Sequence, residues 1–404
     1  MESVFNELIM ERNADADRLH EVLKSRKIDF ASGVPCGVLR CFIDNFNSDS
    51  DFIHIPAQNE PEAVGIAAGS FLGGKNPVIY MQNSGLLKSI NEIGSLLIPC
   101  EIPMLFIVTY RGCEGEDAPQ HKITGGITED VLDALSLYYH ELTPENIENV
   151  VTESYDFMDK TKRPAVILVK RGWSKKRFLK TDSVEIRKDE IKWYNPKEII
   201  DSSMDKIIDR RNYSNKFELK REEALDAIIK GIKKEDAIFS NTGLISRSLY
   251  ERYDAPNFFY NVGSFGFVSS IGLGFAIAKK DKRVFVIDGD SSVLTNFGTL
   301  VTIGYNKPKN LVHIILDNNA YASCSEEKSC SDKAHFPLVA AIQDYSSVFL
   351  VNNYNNLKKA LQEIRKISGP VLVHAKIELG GRRNFDRPKD LAYIARRFKN
   401  YFND

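Results

Sequence analysis

The sequence has no long apolar run. Nothing in its 404 residues approaches the roughly 18 consecutive apolar residues of a membrane-spanning helix, so no membrane association is expected. It has no excess charge of either sign: Lys+Arg number 54 against Asp+Glu 55, a net charge of −1, which removes any global electrostatic case for nucleic acid. Local clusters such as Lys175-Lys176-Arg177 read as solvated faces or linker. It has no Cys-x-x-Cys pair. Its cysteines stand scattered at 36, 41, 100, 113, 324 and 330, which argues for reduced thiols and against a disulfide frame or a zinc site. The first residues, Met1 to Glu7, show neither the basic start nor the apolar segment of a secretory leader, and a cytoplasmic location is expected. No internal repeat is detectable.

What is present is alternation. Short apolar stretches at 28–31, 52–56, 77–81, 103–109 and 164–170 read as strands, and helical or small-residue stretches lie between several of them. The helix expected from Ala63 to Gly73 is built largely of glycine and alanine, which implies close packing. From residue 172 to about 218 the chain is polar and charge-rich without a sustained apolar period. Alternation then resumes and ends in the strand Val371–Lys376. The expectation is an α/β protein of two doubly wound parallel-sheet domains with no central third domain: 1–175, a linker at 176–218, and 219–404.

The most informative stretch runs from Val284 to Tyr321. An apolar strand enters Gly289-Asp290-Ser291-Ser292, a helix follows, and a second apolar strand stops at Asp317-Asn318-Asn319-Ala320-Tyr321. In a parallel sheet both strand ends lie on the edge where open α/β sheets bind ligands. Asp290 and Asn318 offer hard oxygen ligands for Mg²⁺ or Ca²⁺. Gly289, Ser291 and Ser292 offer close backbone approach and hydroxyls to a phosphate on that metal. Taken alone, the pattern is equally that of a buried strand ending in a polar turn.

This motif resembles the metal–diphosphate motif of thiamine diphosphate (ThDP) enzymes, Gly-Asp-Gly followed after a spacer by Asn-Asn, with Ser291 in place of the last glycine and Asp317 in place of the first asparagine. Further stretches carry the resemblance in the same order: Ser32 to Pro35, Asn59-Glu60, Tyr80 to Leu86, Tyr110 to Gly112, Pro119 to His121, Thr242-Gly243, Ser246-Arg247 and Gly263 to Gly266. Together they are most similar to the phosphonopyruvate and sulfopyruvate decarboxylases of that family.

The resemblance implies a pyrimidine-binding first domain and a diphosphate-binding second domain. It implies ThDP and Mg²⁺ as cofactors, with the metal held by Asp290, Asn318 and the carbonyl of Ala320. Glu60 would be the carboxylate on the pyrimidine ring that lets the cofactor deprotonate its own thiazolium carbon. Thr242, Gly243, Gly263 and Ser264 would meet the cofactor, Phe265 would be the wedge that bends it, and Asn83 and Tyr321 would line its pocket. Val34, Pro35, Gln82, Arg111, Gln120 and His121 would face a small 2-oxo acid, with His121 in a polar loop as proton donor. The implied reaction is decarboxylation, best of 3-phosphonopyruvate to phosphonoacetaldehyde and CO₂. The implied assembly is a homodimer or dimer of dimers with active sites between subunits. A carboligase that passes the enamine to a second carbonyl, or a binding subunit without turnover, are the alternatives.

The departures concern the substrate. Cys36-Gly37 stands where the family carries Asp-Ser, and Phe267 stands at a histidine position. Ala322 to Lys328 replaces a small polar loop and brings in Glu326 and Glu327, which would repel a phosphonate if they faced it.

Overall fold

The computed structural model describes residues 11–12, 14–113, 117–173, 177–178, 196–208 and 218–403. Most of the stretch expected as linker, 176–218, lies outside the described residues. Six parallel strands form the first sheet: β1 (Phe30–Gly33), β2 (Ile53–Pro56), β3 (Pro77–Gln82), β4 (Leu105–Thr109), β5 (Tyr138–Glu141) and β6 (Ala165–Val169), in the order β2-β1-β3-β4-β6-β5. Seven form the second: β7 (Ile207–Ile208), β8 (Ala237–Ser240), β9 (Phe258–Tyr260), β10 (Val284–Gly289), β11 (Leu311–Asp317), β12 (Ser347–Val351) and β13 (Val371–Lys376), in the order β9-β8-β10-β11-β13-β12-β7. Apart from its edge strand β7, the second sheet repeats the strand order of the first, a duplication of fold without detectable duplication of sequence. β7 comes from the stretch expected as linker. Its two isoleucines pair in parallel with Val348 and Phe349, which gives an apolar pair in a polar stretch a partner.

The central strands are buried on both faces by helices, so they carry continuous apolar side chains, as parallel sheets require. Two helices join the domains. Helix α1 (Glu60–Leu72) starts where Asn59 caps it, its side chain accepting from the Glu62 amide at 3.0 Å, with Pro61 in the first turn and two acids at the positive end of the dipole. In the first domain, helix α2 (Pro119–Ala134) follows β4. In the second, helix α3 (Leu244–Tyr253) follows β8 and helix α4 (Val268–Ala278) follows β9.

The small residues foreseen between Ala63 and Gly73 let α1 lie directly on α4. A Cβ added to Gly69 would fall 1.8 Å from the Ile271 carbonyl oxygen, and one on Gly274 would fall 1.9 Å from that of Ile66. The C-terminal helix α5 (Leu391–Asn403) packs on the second domain, with Phe398 and Phe402 4.9 Å apart by ring centroid, both within 5.3 Å of Phe275, and Phe398 5.1 Å from Phe239. The six cysteines form no disulfide among the described residues, and no described helix is long and apolar enough to cross a membrane.

Candidate active site

In the second sheet β8 and β10 are neighbours whose chains leave in different directions, the switch point at which such sheets form a crevice. A cavity of ≈ 450 Å³ lies there, walled by Asn241, Thr242 and Gly243 after β8, Gly289 at the end of β10 with Asp290 and Ser291 beyond it, Asn318, Ala320 and Tyr321 after β11, and Phe265. Gly243 caps α3 with φ +89° and ψ −142°, a conformation open essentially to glycine, so its peptide turns at the cavity edge with no side chain in the way. Thr242 is held by its hydroxyl, which donates to the Val262 carbonyl at 2.5 Å.

Asp290 is 2% exposed and accepts a hydrogen bond from Ser329. Burial pushes its carboxyl up to about 6, with the charge of Asp317 adding to the effect and Ser329 opposing it. Burial would raise Asp317 as well, but His374 Nε2 at 2.8 Å and Lys376 Nζ at 2.6 Å outweigh it and hold that carboxyl below the usual range. The Asn318 side chain accepts from the Ala320 amide at 3.0 Å.

These residues fit a divalent cation carrying a phosphate. The metal-facing groups are all oxygens, a nearby cation would offset the buried charge of Asp290, and Asn241 Oδ1 in the cavity wall is buried with no partner among the described residues, as is Ser292 Oγ, although Ser292 itself does not line the cavity. Gly263 and Ser264 are placed differently. They meet the first domain at Ser95, whose Oγ is 3.5 Å from that of Ser264, and neither lines the cavity.

A second cluster sits at the carboxyl edge of the first sheet. Glu60, at the start of α1, lies against Gly85, where an added Cβ would come within 2.2 Å of Glu60 Cγ, and 3.7 Å from Lys88 Nζ. Gln82 Nε2 donates to Ser84 Oγ at 2.8 Å and lies 3.4 Å from His121 Nδ1. Asn83 is fully buried and donates to the Arg111 carbonyl and Thr128.

His121 stands in the first turn of α2, not in a loop: Pro119 in that turn suits a helix start, a signal present in the sequence. Arg111 gives both arms of its fork to Asp117 at 2.5 and 2.6 Å, which holds the Asp117 carboxyl well below the usual range. Val34 is tied to β3 by its amide, which donates to the Tyr80 carbonyl at 3.3 Å, while Pro35 and Gln120 are exposed. The Thr109 hydroxyl approaches Cys36 Sγ at 3.4 Å.

Each cluster is assembled within its own domain. The cavity wall contains no residue of the first domain. Direct links between the domains include Asn59 Nδ2 to Asn296 Oδ1 at 2.9 Å and the Ser95–Ser264 approach. The departures at 322–328 are resolved in part: Ala322, Ser323 and Cys324 line the cavity whereas Glu326 and Glu327 do not, and Glu326 pairs with Arg383 at 3.0 Å. Asn241 and Ser329 were not foreseen. Asn241 directly precedes Thr242-Gly243 and was findable from that position; Ser329 carries no local signal.

Residues 241–375 match the family model described as "Thiamine pyrophosphate enzyme, C-terminal TPP binding domain". The phosphonopyruvate decarboxylase of Streptomyces viridochromogenes is 32% identical over 372 residues, 91% of this chain and 90% of that one. The sulfopyruvate decarboxylase of Methanosarcina acetivorans is 27% identical over 393 residues, 95% of this chain and 96% of that one. Among solved structures, the thiamine diphosphate-dependent 4-hydroxybenzoylformate decarboxylase of Rhodococcus jostii RHA1 superposes with a TM-score of 0.69 at 11% identity over 91% of this chain and 99% of that one, a likeness of fold.

Proposed function

The chain belongs to the thiamine diphosphate-dependent decarboxylases that include the phosphonopyruvate and sulfopyruvate enzymes, and from that premise we propose that its substrate is 3-phosphonopyruvate, released as phosphonoacetaldehyde and CO₂. The enzyme is a ThDP-dependent decarboxylase of a small oxo acid. The observation that carries the finer reading is the cavity around buried Asp290 at the switch point of the second sheet, in a chain matched over 90% of a phosphonopyruvate decarboxylase.

When bound, ThDP supplies the electron sink for the bond to the departing carboxylate. Asp290, Asn318 and the Ala320 carbonyl hold Mg²⁺, and Thr242, Gly243, Gly289, Ser291 and Ser292 receive the diphosphate. Phe265, in the cavity wall, would pack against the bound cofactor and exclude water from it. Glu60 holds a proton against the pyrimidine ring. His121, oriented by Gln82, delivers a proton to the product carbon, and Cys36, Val34 and Pro35 bound the substrate. With Arg111 committed to Asp117, its part is to hold the loop end in place as a neutral pair. The lack of first-domain residues in the cavity wall supports a homodimer or dimer of dimers as the working unit, with Glu60 of one copy serving Asp290 of the other, and we place that unit in the cytoplasm.

Phosphorus NMR of 3-phosphonopyruvate incubated with enzyme, ThDP and Mg²⁺ tests the reading. Conversion to a single aldehyde phosphonate with matching CO₂ supports it. Conversion only when a second aldehyde is added sinks it in favour of carboligation.

A further inference from the structure

The wall of the Asp290 cavity carries two guanidiniums, Arg247 and Arg387, that have no hydrogen-bond or carboxylate partner among the described residues. Their surroundings make this unusual. Arg221, in the same wall, is paired with Glu222 at 2.6 Å; Arg382 is paired with Glu251 at 2.6 Å and Arg383 with Glu326 at 3.0 Å. Arg247 is half-buried, and its guanidinium is pushed below its ordinary value by burial and by the charge of Arg387. Asp290 is the one carboxylate in the wall. Two like charges held near each other without a counter-charge, in a cavity of ≈ 450 Å³, define a site for an anion.

The charge balance says which anion. The terminal phosphate of a diphosphate, with its second ionisation near pH 6, carries close to two negative charges, and the inner phosphate carries about one. A divalent cation together with ionised Asp290 contributes a single net positive charge. About two negative charges remain, and two arginines match them. Position agrees: Arg247 lies one helical turn beyond Gly243, so both face the same side of α3, and the Arg247 amide donates to the Gly243 carbonyl at 3.2 Å.

We propose that Arg247 and Arg387 together clasp the terminal phosphate of bound ThDP, as forks that complete the neutralisation begun by the metal. This rests on the cofactor site described above. It assigns two residues far apart in the chain to cofactor retention and leaves recognition of the substrate anion to other groups.

The test is calorimetric titration of the full-length protein, in saturating Mg²⁺, with ThDP and separately with thiamine monophosphate. Each ligand is run on wild type, Arg247→Met and Arg387→Met, with circular dichroism to confirm folding. Arg387 is exposed, so its variant keeps the fold even if Arg247→Met does not. Each variant is expected to bind ThDP on the order of ten- to a hundredfold more weakly, the range for a lost charge-assisted bond, with thiamine monophosphate little changed. Unchanged ThDP affinity, or equal weakening of both ligands, overturns the proposal. A wild-type protein that binds no ThDP overturns the cofactor site itself, and the proposal with it.

Discussion

Asp317→Asn restores the carboxamide found at this position in the resembling motif, yet the structure predicts that it destabilises this protein. Asp317 is fully buried and accepts from His374 Nε2 at 2.8 Å, Lys376 Nζ at 2.6 Å, Ser331 Oγ at 2.9 Å and the Asn319 amide at 3.0 Å. An asparagine keeps two of these contacts but leaves the Lys376 ammonium, only 13% exposed, without that carboxylate. Removing one partner of a buried ion pair costs about 3–5 kcal/mol. Lys376 keeps a hydrogen bond to Asn319 Oδ1 at 2.8 Å, which argues for the lower end, about 3 kcal/mol. For a domain of this size that is a Tm loss of roughly 6–12 °C. Scanning calorimetry measures it. Lys376→Met in the same chain removes the stranded charge, so the double variant should recover most of the loss. An Asp317→Asn protein as stable as wild type would refute the claim that this ion cluster replaces the amide.

Other outcomes follow from the same geometry. Glu60→Gln and Asp290→Ala are each expected to lose activity, and co-expressed chains are expected to regain part of it, because one site of a mixed dimer escapes both changes; no recovery in purified mixed dimers would contradict the shared site. Gly274→Ala places a Cβ 1.9 Å from the Ile66 carbonyl and is expected to lower stability by about 3 kcal/mol or more, read in chemical denaturation. Gly126→Ala, in α2 with nothing within 4 Å, is expected to raise it by about 0.5–1 kcal/mol. Burial over Phe71 pushes the Lys399 amine down to about 8. The unfolded chain therefore holds that proton more tightly, and the cost of the buried charge is full below about pH 8 and fades as pH rises toward the ordinary lysine value. Lys399→Met should accordingly raise Tm near pH 7 and lose that advantage near pH 10.5, in parallel melts.

How much was legible follows from where the information lies. The central strands are buried on both faces, so each appears as an unbroken apolar run, and the glycine-rich α1 betrayed its close packing directly. Tyr138–Glu141 and Ile207–Ile208 at the sheet edges were not foreseen, since a polar or two-residue edge strand has too few apolar residues to show a pattern. The turns expected to hold a metal and a phosphate stand out in the sequence because each is contiguous at a strand end. His374 and Lys376, which balance Asp317, lie on a neighbouring strand and meet it through sheet register alone. Likewise the Arg111 fork looked available for an anion until the fold placed Asp117 against it.

The central claim is best tested by CO₂ release from phosphonopyruvate, sulfopyruvate and pyruvate in parallel, with ThDP and Mg²⁺ supplied and Glu60→Gln as control. Fastest release is expected from phosphonopyruvate, dependent on both cofactors, with a loss of about 10²–10⁴-fold in the variant, the usual scale for removing an acid–base group. No release from any of the three by a protein that still binds ThDP would contradict it.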